Sequence, residues 1–208
     1  MNVDVQYATI EHIKFAQEIC DLIESAAKAR GTGIAKREPE YIRSKIEAQQ
    51  AVIATCAGEL AGFCYIETWQ NKEYVANSGL VVSPKFRNIG LAKRIKQKIL
   101  ELSQEKFPGT RLFGITTSLA VLKINYELGY RPVTFSELTT DDAFWKGCRS
   151  CPNHDILERN NRANCLCTGM LYDDSSKKKE AEKQKGAIAK RFQRLTNFKN
   201  KRKLNKKK

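Results

Sequence analysis

A short segment near the middle of the chain places a proline, an arginine and small residues at the predicted start of a helix. Residues 80–92 read LVVSPKFRNIGLA, with Arg87-x-x-Gly90-x-Ala92 after a predicted strand. The N–H groups of a first helical turn lack intrahelical acceptors and converge on one point, where the helix dipole adds positive potential. Gly90 and Ala92 leave this backbone accessible, and Arg87 can add a charge-assisted hydrogen bond. The spacing predicts a diphosphate site; the alternative is a simple helix cap.

The segment lacks the patterns of two other phosphate loops, because it has neither the Gly-Lys-Ser/Thr of a Walker A loop nor a GxGxxG. It resembles instead the acetyl-CoA-binding motif of the GNAT superfamily, Arg/Gln-x-x-Gly-x-Gly/Ala after a strand that ends in Val-x-Pro. Residues 126–132 (YELGYRP) resemble the second motif of that family, in which a helix ends in Gly-Phe/Tyr before a strand. The resemblance covers residues 3–138. It implies a CoA-dependent N-acyltransferase with acetyl-CoA or another acyl-CoA as co-substrate.

The same resemblance implies which residues bind the coenzyme. The backbone of Val81 and Val82 would pair with the pantetheine arm, as an added strand would. The side chain of Arg87 would lie beside the pyrophosphate. The amides that would hold the pyrophosphate are those of Asn88, Ile89, Gly90, Leu91 and Ala92.

The leaving thiolate needs a proton donor, and here the sequence departs from the family. Many members have a tyrosine five residues before the residue that closes the Gly-Phe/Tyr motif, whereas this chain has Asn125 there, followed by Tyr126. One step along a helix rotates a side chain by about 100°. Tyr126 therefore does not simply replace the missing tyrosine, and packing in the core is an equal alternative for it. Asn125 could still donate a hydrogen bond to the sulfur.

An amine that attacks a thioester must be neutral, so a carboxylate or an ordered water has to accept its proton. Glu67, near the end of a predicted hairpin, and Glu73, before the next strand, are the candidate bases. For each of them a solvated glutamate at a turn or a sheet edge is the alternative. An acyl-enzyme on Cys64 is not favoured, because no histidine accompanies this cysteine in the sequence.

The acceptor side is suggested by residues 31–37 (GTGIAKR) and by the predicted strand at 112–117 (LFGITT). Both are similar to segments of glutamate N-acetyltransferase domains. The resemblance implies that Arg37 closes an acceptor loop, and its planar cation suits a carboxylate. We therefore expect an amino acid as acceptor, glutamate first, with a polyamine, an aminoglycoside or a protein N-terminus as alternatives. A solvated surface loop is the alternative interpretation of Arg37.

Two close pairs of cysteines occur near the C-terminal end of the folded part. Cys148-x-x-Cys151 and Cys165-x-Cys167 can wrap one tetrahedral zinc ion, which would be structural because all four ligands would come from the protein. Four reduced thiols in a small packed hairpin are the alternative. A redox pair at Cys148 and Cys151 is a third interpretation.

These residues must be positioned by strands and helices that the hydrophobic periodicity predicts. Strands are predicted at 3–9, 51–56, 60–69, 74–82, 110–117 and 130–138, and helices at 11–30, 38–50, 90–106 and 119–128. The pattern predicts an α/β fold of the GNAT type, with a mixed, mostly antiparallel central sheet and helices on both faces. A small cysteine-rich appendix and a disordered basic tail are expected to follow.

The positive charge is concentrated at the C-terminal end. The net charge of the chain is +14, and residues 177–208 hold 15 Lys or Arg and two Glu, which leaves the rest of the chain nearly neutral. We expect three parts: an acyltransferase domain at 1–140, the appendix at 141–174 and the tail at 175–208. The tail is a candidate for weak, non-specific nucleic-acid contact or for an anionic membrane surface, with a solvated extension without a partner as the alternative.

The sequence shows no basic start followed by an apolar run and no apolar stretch long enough to cross a bilayer, so we expect a cytoplasmic protein. The odd number of cysteines, seven, is not typical of a disulfide framework. The rival to an acyltransferase is a catalytically idle GNAT-like scaffold that binds nucleic acid through its tail. The expected partners of the enzyme are an acyl-CoA and a small amine.

Overall fold

The computed structural model describes residues 2–31 and 36–172. The predicted basic tail at 175–208 and the middle of the predicted acceptor loop, residues 32–35, lie outside this range. In the part that is described, no helix has the length and apolar character required to span a bilayer.

Seven strands form one sheet in the order β1-β2-β3-β4-β5-β7-β6. The strands are β1 (Asp4–Tyr7), β2 (Ala51–Cys56), β3 (Glu59–Trp69), β4 (Tyr74–Val82), β5 (Arg111–Thr116), β6 (Arg131–Val133) and β7 (Thr168–Tyr172). Every neighbouring pair is antiparallel except β4 and β5, which are parallel. The predicted mixed, mostly antiparallel sheet is therefore confirmed.

Helices cover both faces of this sheet. They are α1 (Ala16–Arg30), α2 (Pro39–Glu47), α3 (Leu91–Lys106), α4 (Leu119–Glu127), α5 (Asp142–Lys146) and α6 (His154–Arg159). The ends of α1 and α2 follow local rules: α1 stops at Gly31 in the left-handed conformation, and α2 starts with Pro39, where the missing N–H costs nothing.

Each face of the sheet is closed by an apolar helix stripe. On one face, Ile95 and Ile99 of α3 are completely buried against strand residues such as Val75. On the other face, α1 and α2 contribute a second cluster that includes Ile19 and Ile42. Each such side chain contributes about 1.5–3 kcal/mol relative to full exposure, so the two stripes fix the helices on opposite sides.

The parallel strands β4 and β5 separate after a short contact. They pair only from Tyr74 to Ala76 on β4 and from Arg111 to Phe113 on β5. Beyond these pairs, β5 continues to Thr116 against β7 on its other side, while β4 continues to Val82 against β3. The two facing edges are consequently open toward the ends of both strands.

A β-bulge in β4 lies beside this opening. The register between β3 and β4 shifts between Phe63 and Tyr65, because Phe63 is opposite Val81 and Tyr65 is opposite Ser78. Gly79 lies in the extra stretch of β4 and has φ +65°. A Cβ atom at this position would be 2.2 Å from Tyr65 Cε1, so both the backbone and the space require glycine.

The residues expected to form an appendix take part in the main sheet. Strand β7 lies between β5 and β6 and pairs with both. Helices α5 and α6 add Trp145 and Leu157 to a third apolar cluster, which includes Phe113 of β5. The boundaries 1–140, 141–174 and 175–208 stay a proposal, and the described part of the appendix is packed on the main sheet. The predicted last strand at 130–138 is shorter, because a 3-10 turn follows it at Phe135–Glu137.

Candidate active site

The open edges of β4 and β5 form part of a cavity of about 580 Å³. Residues 77–80 of β4 and residues 114–117 at the end of β5 line it. The end of α1 and the segment before α2 line one side of the cavity. The other side is lined by residues of α5 and α6 and by Cys148, Cys151, Cys165 and Cys167. A cavity of this volume suits a drug-sized molecule or the reacting end of a larger one.

The α2 side of the cavity carries a group of polar side chains. Arg37 Nε donates a hydrogen bond of 2.5 Å to the Tyr65 hydroxyl, and Arg37 Nη2 lies 3.8 Å from Glu67 Oε1. The Tyr41 hydroxyl donates to the same carboxylate oxygen. These four side chains converge because Tyr65 and Glu67 are two residues apart on β3 and therefore lie on the same face of the sheet, toward α2. We call them the acceptor cluster.

The charge state of the acceptor cluster follows from its burial. Burial, followed by the nearby Glu67, raises the pKa of Tyr41 and of Tyr65, so both hydroxyls keep their protons at neutral pH. Burial alone would lower the pKa of Arg37, but Tyr65 and Glu67 raise it overall, so the guanidinium stays charged. The cluster thus presents a fixed cation, two hydroxyl groups and a carboxylate to the cavity.

The two candidate bases differ in their position. The Glu67 side chain lines the cavity and is 9% exposed. Glu73 lies in the turn between β3 and β4, is half-exposed, accepts a hydrogen bond from Gln70 Nε2 and lies outside the cavity lining. Its position therefore matches the alternative of a solvated turn glutamate, whereas Glu67 faces the cavity. The role of a catalytic base stays a prediction for both residues.

The predicted diphosphate turn has an open backbone. A 3-10 turn at Pro84–Phe86 leads to Asn88 and Gly90, which have φ +63° and +74°, and α3 begins at Leu91. The segment from Arg87 to Gly90 is exposed, including the Ile89 side chain. No atom would lie within 4 Å of a Cβ at Gly90, so a ligand has room to approach the first-turn amides.

The residues predicted to bind the coenzyme differ in how far their side chains are buried. Leu91 anchors the start of α3 in the core, Ala92 is half-buried, and Arg87 Nε lies 3.3 Å from the Val82 carbonyl oxygen. Val81 is buried against the α1 face, so only its backbone could meet a coenzyme. The backbone role of Val81 and Val82 stays a prediction.

Sequence reasoning missed the part of β4 that lines the cavity. This part consists of Asn77, Ser78, Gly79 and Leu80. A glycine inside a predicted strand, Gly79, was the available signal for a bulge. Arg30, at the end of α1, also lines the cavity, where burial, followed by the nearby Arg87, lowers its pKa. No sequence pattern indicated this arginine.

The two candidate proton donors on α4 have opposite environments. Asn125 is 2% exposed, and its Oδ1 has no hydrogen-bond partner among the residues described. Tyr126 is 71% exposed and does not pack in the core, which excludes that alternative for this side chain. Neither residue lines the cavity, so their catalytic assignment stays a prediction.

The four cysteines predicted as zinc ligands line the same cavity as the acceptor cluster. All of them are free thiols, and burial raises the pKa of Cys148 to about 11 and raises that of Cys167 further. Over residues 2–31 and 36–172, no group of three or more His, Cys, Asp or Glu side chains is arranged to hold a metal ion. The structure therefore gives no support for zinc at Cys148, Cys151, Cys165 and Cys167, and the raised pKa values of Cys148 and Cys167 keep these two thiols protonated at neutral pH.

The sequence and the structure match known acetyltransferases. The model of the acetyltransferase (GNAT) family matches residues 17–120. Comparison with curated protein sequences gives no significant match. Among solved structures, an acetyltransferase of the GNAT family from Staphylococcus aureus is 14% identical with a TM-score of 0.58, over 83% of this chain and 99% of that chain.

Two further similar structures contain coenzyme A. N-acetylglutamate synthase from Neisseria gonorrhoeae, complexed with coenzyme A and N-acetyl-glutamate, is 20% identical with a TM-score of 0.58. The match covers 83% of this chain but only 35% of that synthase. Diaminobutyrate acetyltransferase EctA from Paenibacillus lautus, in complex with L-2,4-diaminobutyric acid and coenzyme A, is 12% identical with a TM-score of 0.55, over 83% of this chain and 95% of that chain.

Proposed function

We propose that this chain, which belongs to the GNAT acetyltransferase family, is an N-acetyltransferase that uses acyl-CoA and transfers an acetyl or other short acyl group to the amine of a small amino acid. The observation that carries this proposal is the acceptor cluster, which faces the open edges of β4 and β5 across one cavity. The coenzyme and the acceptor can therefore be bound together.

The coenzyme binds along β4 in this proposal. Its pyrophosphate lies on the amides from Asn88 to Ala92, with Arg87 beside it, and its pantetheine arm runs along the free edge of β4 at Val81 and Val82. The thioester then reaches the bulge, where a backbone N–H stabilises the oxyanion. Catalysis consists mainly of positioning the two reactants and stabilising the developing charge.

The acceptor amine enters from the α2 side. The guanidinium of Arg37 binds the carboxylate of the amino acid, because its planar fork matches that group. Glu67, directly or through a water molecule, accepts the proton from the attacking amine. The leaving thiolate takes up a proton from solvent, because neither Asn125 nor Tyr126 lines the cavity.

Two classes of amino acid are candidates. Glutamate is the first, supported by the sequence likeness at residues 31–37 and by the N-acetyl-glutamate in the synthase structure. An amino acid with an apolar side chain is the second. The α5–α6 side of the cavity favours it, because that wall has no Asp, Glu, Lys or Arg side chain. Its lining includes Phe144, Leu157 and the four cysteines, with Asn153 and His154 as further polar groups.

Release of free CoA thiol tests the proposal. Acetyl-, propionyl- and succinyl-CoA are each combined with glutamate, leucine, methionine, spermidine, an aminoglycoside and a short peptide with a free N-terminus, and products are identified by mass spectrometry. We expect turnover with an amino acid. Turnover with only the polyamine, the aminoglycoside or the peptide would contradict the amino-acid acceptor, and no thiol release with any pair would contradict the proposal as a whole.

A further inference from the structure

Helix α3 carries a lysine in the interior of the protein. Lys96 is 2% exposed, and its ammonium lies 5.1 Å from the centre of the Tyr130 ring and 3.3 Å from Asn77 Oδ1. Within the described residues it has no ion pair with a carboxylate. A buried ammonium without a carboxylate is costly, and an apolar side chain of similar volume would pack there without that penalty.

Asn77 is the centre of the hydrogen bonds around this lysine. Its Oδ1 accepts from Lys96 Nζ and, at 2.9 Å, from the Tyr130 hydroxyl. Its Nδ2 donates to Ser103 Oγ at 2.9 Å, and that hydroxyl donates to the Ile99 carbonyl oxygen at 2.7 Å. One side chain of β4 is therefore tied to two turns of α3 and to Tyr130, the residue directly before β6.

Burial shifts the pKa values of the titratable groups around Asn77. Burial lowers the pKa of Lys96 and raises that of Tyr130, so the phenol keeps the proton that it donates. The titratable neighbour on β3, Cys64, is completely buried, and its thiol donates to the Ser78 carbonyl oxygen at 3.3 Å. Burial raises the pKa of Cys64 to about 11, so it too stays neutral near pH 7.

Asn77 lies on β4 at the point where the pairing with β5 ends. The last pair between β4 and β5 is Ala76 with Phe113, so Asn77 is the first residue of β4 at the opening. The next two residues, Ser78 and Gly79, lead into the bulge and line the cavity. At the point where ladder hydrogen bonds to β5 end, side-chain hydrogen bonds from α3 and Tyr130 hold the strand.

We propose that Lys96, Asn77 and Tyr130 form an interior clamp that fixes the free edge of β4, and that they are positioning residues for acyl transfer. The inference rests on the proposed function, because the thioester has to lie at this edge. A thioester held even slightly out of place reacts much more slowly, whereas the pyrophosphate grip at the start of α3 is unaffected. The clamp therefore acts on kcat more than on coenzyme affinity.

The test combines kinetics with hydrogen–deuterium exchange of the intact chain. The variants are Lys96→Met, Tyr130→Phe, Asn77→Ala and the double variant Lys96→Met with Asn77→Ala. Lys98→Met is the matched control, because Lys98 lies on the same helix, is partly exposed and contacts the Tyr7 ring instead. We expect folded single variants with kcat reduced about tenfold, acetyl-CoA affinity within about threefold of the original, and faster exchange at residues 77–82.

A purely structural role makes different predictions. If Lys96 contributes only to packing, methionine will leave kcat and the exchange of residues 77–82 unchanged, and the inference is wrong. It is equally wrong if the losses in the double variant are additive, because a clamp that acts as one unit gives a non-additive cycle, or if Lys98→Met has the same effect. Should Lys96→Met fail to fold, Tyr130→Phe, which removes a single hydroxyl, decides by the same criteria.

The original protein is assayed first, so that the two proposals can be separated. If it turns over no amino acid, the proposed function fails. Exchange at residues 77–82, measured with and without acetyl-CoA in the original protein and in Tyr130→Phe, then decides the clamp alone. Equal exchange in both proteins would overturn it.

Discussion

At the scale of single residues, the main chemical distinction is between Glu67 on β3 and Glu73 in the turn between β3 and β4. Glu67 faces the cavity with Tyr41 and Arg37, whereas Glu73 is half-exposed in the turn. The sequence offered both as bases with equal support, because distance in the chain does not show which face of the sheet a side chain reaches. The acceptor cluster depends on that face.

We predict that Glu67→Gln lowers kcat about a hundredfold, because the amide keeps the hydrogen bond from Tyr41 but cannot accept the proton of the amine. Glu73→Gln is the matched change and should leave kcat within about twofold. Steady-state thiol release over a pH series measures both. Equal activity of Glu67→Gln and the original protein at every pH would exclude Glu67 as the base.

At the scale of the elements, the bulge in β4 connects the fold to the acceptor cluster. Gly79 lies directly against the ring of Tyr65, and Tyr65 holds Arg37. The Tyr65 ring cannot easily move away, because it is completely buried and also contacts the rings of Phe63 and Tyr41. The shape of the strand therefore determines where the cation of the acceptor cluster lies.

We predict that Gly79→Ala destabilises the protein by about 2 kcal/mol or more, since a side chain is added both at positive φ and against a buried ring. The same variant should raise the KM for the acceptor, because displacement of Tyr65 moves Arg37. Gly114→Ala, on the opposite edge, is the control. Its Cβ would meet no atom within 4 Å, so its melting temperature should be nearly unchanged. Equal melting temperatures for the two variants would be inconsistent with the bulge as described.

Much of this fold was predictable from local patterns. The stripe of Leu91, Ile95 and Ile99 predicted α3, and Gly31 and Pro39 marked the helix ends that the structure has. Two motifs predicted the family: the diphosphate motif at residues 80–92 and the Gly-Tyr motif at residues 126–132. What could not be predicted depends on contacts distant in sequence, such as the insertion of β7 between β5 and β6.

The candidate site was predictable only in part, for the same reason. Arg37 and Glu67 are 30 residues apart and were found separately, and only the fold brings them together with Tyr41 and Tyr65. Nothing in the sequence distinguishes Lys96 from the other lysines of α3. Its burial depends on Asn77 and Tyr130, which lie on other elements.

At the scale of the whole molecule, the charge and the chemistry lie in different parts of the chain. The acceptor cluster, the open strand edges and the predicted diphosphate turn all lie within residues 30–117, whereas residues 177–208 hold most of the net positive charge.

We predict that a chain that ends at residue 176 keeps kcat within about twofold. Any affinity for nucleic acid, and its dependence on salt, should be lost. Thiol release and fluorescence anisotropy at several salt concentrations measure these outcomes, and loss of turnover on truncation would contradict the prediction.

The central claim for the whole molecule is that the start of α3 holds the paired phosphates of an acyl-CoA. Isothermal titration with acetyl-CoA tests it most directly with Gly90→Asp and Gly109→Asp. Both glycines have a positive φ, +74° and +79°, and open space around a new Cβ, so the two variants carry the same backbone strain. A carboxylate at Gly90 faces the phosphates, so we expect affinity to fall at least about tenfold for Gly90→Asp and to stay unchanged for Gly109→Asp. Undiminished acetyl-CoA binding by Gly90→Asp would contradict the account.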